Sequence, residues 1–152
     1  MTVDASDKAI GWILEQEIDG RYCPLAFFSK QLKLAKAKYS SFDRELLALH
    51  LTIRYFRYFL EGRSVTALTD HKPITQAMSR LTDPWSARQQ RHLSAISELT
   101  IDIRHISGKN NVVADALSRI AIDPAFPDTV MNMLHEEVDY EAPLTWISLI
   151  WS

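Results

Sequence analysis

The stretch from residue 10 to residue 29 constrains the fold of this chain more than any other. Two runs rich in β-branched and aromatic residues, IGWILEQ and YCPLAFFS, flank the dipeptide Asp19-Gly20. An Asp-Gly pair between such runs is a strong signal for the tight turn of a β-hairpin. The pattern therefore predicts two antiparallel strands, and Met1–Asp4 before them has the pattern of the end of another strand.

The strongest helical pattern covers residues 40–60. Ser40 precedes Asp43 by three positions, which is an N-terminal capping pattern, and Gly62 ends the helix. Apolar residues recur between these points at helical spacing, namely Phe42, Leu46, Leu49, Ile53, Phe56 and Leu60.

Shorter strand and helix patterns occupy the rest of the first 119 residues, and together they predict a mixed sheet with helices packed on it. In order they are a basic connector LKLAKAK, a strand at 64–69, a helix from Pro73 to about Ser79, a helix at 85–98 opened by Pro84, a strand at 100–106, a turn at Gly108-Lys109-Asn110, and a last helix, VVADALSR, capped by Asn111.

Charge separates the chain into two parts. Residues 120–152 hold six acids and no Lys or Arg, whereas residues 1–119 hold 17 bases and 13 acids, a net charge of +4. We expect one domain at 1–119 and an acidic, proline-containing linker or appendage at 120–152. A single cysteine, no apolar run of 18 residues and no secretory signal predict a cytoplasmic or nuclear protein without a membrane span.

Four acids occupy positions where they can carry chemistry. Asp4 and Asp70 end predicted strands, Glu45 lies on the core-facing side of the 40–60 helix, and Asp115 lies in the first turn of the last helix. Each has a structural alternative: turn initiation or capping for the two strand-end residues, a border position for the glutamate, and the helix dipole for the fourth. Together they can converge at one sheet edge, where carboxylates suit two Mg²⁺ or Mn²⁺ ions.

Several motifs in register carry a family resemblance: VDASDKAIG, PLAFFSKQL, YSSFDRELLAL, LTDHKPI, WSARQQRHLSAISEL and IDIRHISGKNNVVADALSR. In this order and spacing, residues 2–119 resemble the ribonuclease H domain of gypsy-type LTR retrotransposon Pol polyproteins. The resemblance implies an α/β RNase H-like fold, with a five-stranded mixed sheet flanked by helices. The family's first strand begins several residues earlier, so here that strand is truncated before Asp4.

The resemblance also implies an activity, endonucleolytic cleavage of the RNA strand of RNA–DNA hybrids. Its metal-binding and catalytic acids fall on Asp4, Glu45, Asp70 and Asp115. The implied cofactor is a pair of Mg²⁺ ions, for which Mn²⁺ can substitute. The implied partners are the hybrid and the reverse transcriptase and integrase domains of the same polyprotein, in a cytoplasmic virus-like particle or the nucleus.

Further residues are candidates for gripping the hybrid. A hybrid is distinguished from DNA by its 2′-hydroxyl groups, and its phosphates attract cations. Four residues that lie beside the acids are candidates for contacts with the 2′-hydroxyl groups, namely Ala5, Ser6, Ser41 and His71. The candidates for contacts with the phosphates are Lys72, Arg88 and Arg91.

Two other functions stay open at this level. A degenerate or co-opted module could fold, bind and be inactive; the complete acidic set argues against this and the truncated first strand argues for it. An integrase-like DNA transferase uses a related fold, but with fewer acids at other spacings.

Overall fold

The fold is built on one five-stranded mixed sheet with the strand order β3-β2-β1-β4-β5. The computed structural model describes residues 1–80, 83–99 and 101–119. The strands are β1 (Thr2–Ala5), β2 (Ala9–Ile18), β3 (Arg21–Gln31), β4 (Val65–Thr69) and β5 (Ile101–His105). The first three pair antiparallel, whereas β1–β4 and β4–β5 are parallel pairs. The predicted fold class is confirmed.

The predicted hairpin forms around Asp19-Gly20. Both residues have positive φ, 51° and 74°, and two successive left-handed residues make the turn whose twist matches that of the flanking strands. The ladder shifts register between Leu14 and Glu15, which face Ala26 and Pro24. Leu25 is therefore the extra residue of a β-bulge.

Residues 1–80, 83–99 and 101–119 contain six helices. They are α1 (Leu34–Ala37), α2 (Ser41–Tyr55), α3 (Arg57–Leu60), α4 (Lys72–Ser79), α5 (Ala87–Ser97) and α6 (Val112–Arg119), with a 3₁₀ turn at Gly108–Asn110. The α2 stripe packs on one sheet face, where Leu46 and Ile53 share a core with Trp12. The opposite face meets α6 at Gly11, the strand neighbour of Trp12. None of the described helices combines the length and apolarity that crossing a membrane requires.

The predicted helix over 40–60 is wrong in one respect, because the chain turns at Phe56. The backbone of that residue (φ −95°, ψ 12°) leaves the α-helical region, so α2 ends and α3 begins around it. Phe56 and Leu60 are nevertheless both buried in the core. The break thus keeps the predicted apolar stripe buried while the helix changes direction.

The structure also corrects three smaller predictions. The basic connector contains the short helix α1. The helix predicted at 85–98 begins at Ala87, because Ser86 and Gln89 form a capping box in which each side chain accepts from the other residue's N–H. Asn111 begins α6 through its carbonyl, which accepts from the Asp115 N–H at 3.0 Å. Its side-chain Oδ1, however, is buried with no hydrogen-bond partner in the described structure.

The predicted appendage at residues 120–152 lies outside the described residues, and the division of the chain at Arg119 stays a prediction.

Candidate metal centre

Three of the four predicted acids come together at one edge of the sheet. Asp4, Glu45 and Asp70 each place a carboxylate oxygen within 4.8 Å of the other two. Asp4 lies in β1, and Asp70 directly follows β4. These strands are parallel neighbours, so their carboxyl ends meet at the same edge.

Glu45 reaches this edge from α2, which packs on the sheet face opposite to α6. It is 5% exposed, and its Oε1 accepts from the Ala5 N–H at 2.9 Å. Burial, together with the charges of Asp4 and Asp70, raises the pKa of the Glu45 carboxyl to about 8, although the Ala5 bond and Arg44 oppose the rise. A metal-free domain therefore holds a proton on Glu45 at neutral pH.

Asp4 is also buried, at 7% exposed. Burial raises the pKa of its carboxyl, a bond from the Ser118 hydroxyl opposes this, and the charges of Asp70 and Asp115 add to the rise. In the described part of the chain, neither Asp4, Glu45 nor Asp70 forms an ion pair. Clustered carboxylates with no paired cation have the donor chemistry of a site for a hard divalent cation.

Asp115 stands apart from this group. Its side chain is 40% exposed and pairs with Arg119, one turn later on α6, whose Nη2 lies 2.7 Å from Asp115 Oδ1. The carboxylate is close enough for its charge to raise the pKa of Asp4. The structure thus brings three of the predicted acids together, whereas the fourth, Asp115, lies nearby and pairs with Arg119.

Two of the predicted substrate contacts already have partners inside the domain. The Ala5 N–H is used by Glu45. The Ser6 hydroxyl donates to the Ser118 carbonyl at 2.5 Å and accepts from the Lys8 and Ala9 N–H groups. Ser41 is exposed at the start of α2. Among these three, Ser41 is exposed, whereas Ala5 and Ser6 are half-buried.

His71 and Lys72 flank Asp70 at the start of α4. Burial lowers the pKa of His71, although the charge of Asp70 opposes this. Its Nε2 is buried without a hydrogen-bond partner among the described residues, and its ring lies 6.1 Å from that of Phe42. Lys72 is exposed. Of the two, Lys72 is therefore the one that is open to solvent beside Asp70.

Arg88 and Arg91 differ despite their common helix. The Arg88 guanidinium lies over the Tyr39 ring, 4.0 Å from its centroid, and 3.4 Å from Asp43 Oδ2. It therefore ties α5 to α2. Arg91 is exposed and is the better candidate for a phosphate contact.

Two residues that shape the centre do not appear among the sequence-based candidates. A Cβ atom on Gly11 would lie 2.3 Å from the Ala114 carbonyl oxygen and 2.5 Å from the Ser118 nitrogen, so only glycine lets α6 settle on β2. Ser118 is fully buried, and its hydroxyl donates to Asp4 Oδ2. Glycine within a strand pattern signals such a close approach, and Ser118 follows Asp115 by three positions, on the same helix face.

Comparison with known proteins places this geometry in a family. The model of the RNase H-like domain found in reverse transcriptase matches residues 1–99. That range includes the three clustered acids and ends before Asp115.

Sequence relatives are transposon polyproteins. The chain is 36% identical over 122 residues to the retrovirus-related Pol polyprotein from transposon 412 of Drosophila melanogaster, covering 80% of this chain and 10% of that protein. It is 38% identical over 123 residues to that from transposon 297, covering 81% and 11%. It is 32% identical over 123 residues to the Tf2-3 polyprotein of Schizosaccharomyces pombe, covering 79% and 9%. The chain thus spans about a tenth of these relatives' length.

Solved structures share the fold at lower identity. RNase H1 from the halophilic archaeon Halobacterium salinarum superposes with a TM-score of 0.55 at 21% identity, covering 76% of this chain and 90% of that one. The foamy viral protease-reverse transcriptase in complex with RNA/DNA hybrid gives 0.54 at 14% identity, covering 80% and 16%.

Proposed function

Because the chain belongs to the family of RNase H-like domains found in reverse transcriptases, we propose that it cleaves the RNA strand of RNA–DNA hybrids within a retrotransposon Pol polyprotein. The observation that carries this proposal is the convergence of Asp4, Glu45 and Asp70 at one sheet edge. These side chains supply oxygen ligands and lack ion-pair partners in the described structure, as a divalent-cation site requires.

We assign the ligand set to Asp4, Glu45, Asp70 and Asp115, with two Mg²⁺ ions or their Mn²⁺ substitutes as cofactor. Bound cations of this kind activate a water and stabilise the charge that develops in displacement at phosphorus. Because its pKa is raised, Glu45 must release a proton before it can bind a cation. Asp115 must exchange its contact with Arg119. Metal binding is therefore coupled to proton release and tightens as pH rises.

The groups still open to solvent beside the acids define the grip on substrate. We assign Ser41 and the half-buried His71 to 2′-hydroxyl contacts, and the exposed Lys72 and Arg91 to phosphate contacts. Ala5 and Ser6 contribute indirectly, because their hydrogen bonds fix Glu45 and Ser118. As partners we propose the hybrid and the reverse transcriptase and integrase domains of the same polyprotein, and as location a cytoplasmic particle or the nucleus.

The test is cleavage of a hybrid labelled on its RNA strand by the purified chain. We expect Mg²⁺ or Mn²⁺ to support cleavage, and Ca²⁺, which takes six to eight ligands, to inhibit it. Asp70→Asn keeps the side-chain shape and removes the charge. It should lower the rate at least ~100-fold, since losing even an outer-shell partner of a metal ligand costs ~10–100-fold.

Asp102→Asn is the matched control. Asp102 is an exposed acid of β5 that pairs with Arg104 and contacts none of the clustered acids, so the rate should stay near wild type. Robust cleavage in excess EDTA, or near wild-type turnover by Asp70→Asn, contradicts the metal-centre assignment.

A catalytically inactive binding or structural module is the second candidate. The observation that favours it is the contact of Asp115 with Arg119, which leaves three acids in the cluster. Saturable hybrid binding without any Mg²⁺- or Mn²⁺-dependent cleavage identifies this function.

A further inference from the structure

Ser118 of α6 contacts Asp4 of β1 through one buried side chain. The residue is 0% exposed, and its hydroxyl donates to Asp4 Oδ2 in β1. The same Oγ lies 2.8 Å from the Asp115 carbonyl oxygen of its own helix. A hydroxyl carries one proton, and a carboxylate accepts it more strongly than a neutral carbonyl does. The hydroxyl is therefore directed to Asp4 when that carboxylate is charged.

The backbone around Ser118 is fixed from several sides. Gly11 lets the helix approach β2 so closely that any Cβ there would overlap the Ser118 nitrogen. The Ser118 carbonyl accepts from the Ser6 hydroxyl at 2.5 Å. The preceding carbonyl, of Leu117, accepts from the Ser29 hydroxyl at 2.6 Å. These contacts hold the Ser118 backbone against the sheet, at the distance from which its hydroxyl reaches Asp4.

We propose that Ser118 is a positioning residue of the metal centre, which fixes the rotation of the Asp4 carboxylate and ties α6, the carrier of Asp115, to β1. Its bond uses Oδ2 of Asp4 and leaves the other oxygen for a cation. This inference rests on the proposed metal-dependent function. It adds a residue outside the four acids, and it explains why a polar side chain is fully buried at the α6–β1 contact.

The test compares Ser118→Ala and Ser118→Cys with Ser29→Ala. The cysteine variant fills nearly the same volume with a weak donor, so it decides the question if the alanine variant fails to fold. Ser29→Ala removes the hydroxyl bond to the Leu117 carbonyl of α6 but touches no acid. It therefore shows how Mg²⁺ affinity responds when α6 loses one hydrogen bond to the sheet and the acids are untouched.

Mg²⁺ affinity is measured by calorimetry on the full chain without nucleic acid, and the Mg²⁺ concentration for half-maximal hybrid cleavage is measured separately. We expect both Ser118 variants to bind Mg²⁺ ~10-fold more weakly, in the range found for outer-shell partners of metal ligands. Their cleavage rate should recover toward wild type at saturating Mg²⁺. Ser29→Ala should keep wild-type Mg²⁺ affinity, whatever its melting temperature.

Wild-type Mg²⁺ affinity in both Ser118 variants overturns the inference and leaves the proposed function intact. If the wild-type chain binds Mg²⁺ but does not cleave, the proposed activity fails, and the calorimetric comparison still decides the role of Ser118. If the wild-type chain binds no divalent cation, both are overturned.

Discussion

Replacement of Glu45 by glutamine should stabilise the metal-free domain, and the gain should grow with pH. Glutamine keeps the side-chain length and the oxygen that accepts from the Ala5 N–H, and it removes the ionisation. The substitution therefore isolates the cost of charging a carboxyl that is 5% exposed and lies beside Asp4 and Asp70.

The raised pKa of Glu45 sets the size and sign of the effect. Folding raises this pKa from 4.5 to about 8, so between these values the folded state keeps a proton that the unfolded state releases. The stabilising contribution of the protonated group is complete below about pH 4.5 and is lost as pH rises toward 8. At 1.36 kcal/mol per pH unit, the loss is on the order of 3 kcal/mol by pH 7.

The assay is thermal melting in EDTA from about pH 5 to about pH 8.5, with Glu17→Gln as an exposed control on β2. Wild type and control should lose melting temperature together as pH rises. Glu45→Gln should lose less and exceed wild type by roughly 10 °C at pH 7. Added Mg²⁺ should stabilise wild type more than Glu45→Gln. Parallel curves for all three proteins would refute the conclusion that Glu45 is buried with its proton.

Three further substitutions test the packing and the substrate path. Gly11→Ala should destabilise the domain by about 1–3 kcal/mol or more, because its Cβ would overlap the Ala114 carbonyl; an unchanged melting temperature contradicts the close approach of α6. Arg91→Ala should weaken hybrid binding and reduce the salt slope by about 0.9 with unchanged melting. Arg88→Ala should also lower the melting temperature, since it loses Tyr39; equal melting of the two variants contradicts this difference.

Local patterns were sufficient to predict the sheet and most of its connections. The Asp19-Gly20 turn requires two positive φ angles, and few residue pairs other than this kind supply them. The position of Glu45 also followed from local geometry, because helical spacing places it near the apolar stripe that the core buries. Asp4 and Asp70 could be brought together only through the expectation that strand ends meet at one sheet edge.

The remaining features depend on contacts between distant segments. The helix break at Phe56 keeps both Phe56 and Leu60 buried, and no local signal marks it. Arg88 has the composition of a phosphate ligand, yet Tyr39 and Asp43, about fifty residues earlier, engage it. The hydroxyl of Ser118 gains its role only from Asp4, at the other end of the domain.

The order of the strands also determines when the acids can meet as the chain folds. The hairpin of β2 and β3 is made of adjacent segments and can close within microseconds. The central strand β1 pairs with the adjacent β2, where Thr2 faces Ile13, but its parallel neighbour β4 comes much later in the chain, since Thr2 also pairs with Leu68. Such distant pairings fold slowly. The three-acid cluster therefore cannot assemble before Asp70 reaches the sheet edge, and Ser118 of α6 can donate to Asp4 only after the rest of the described chain is made.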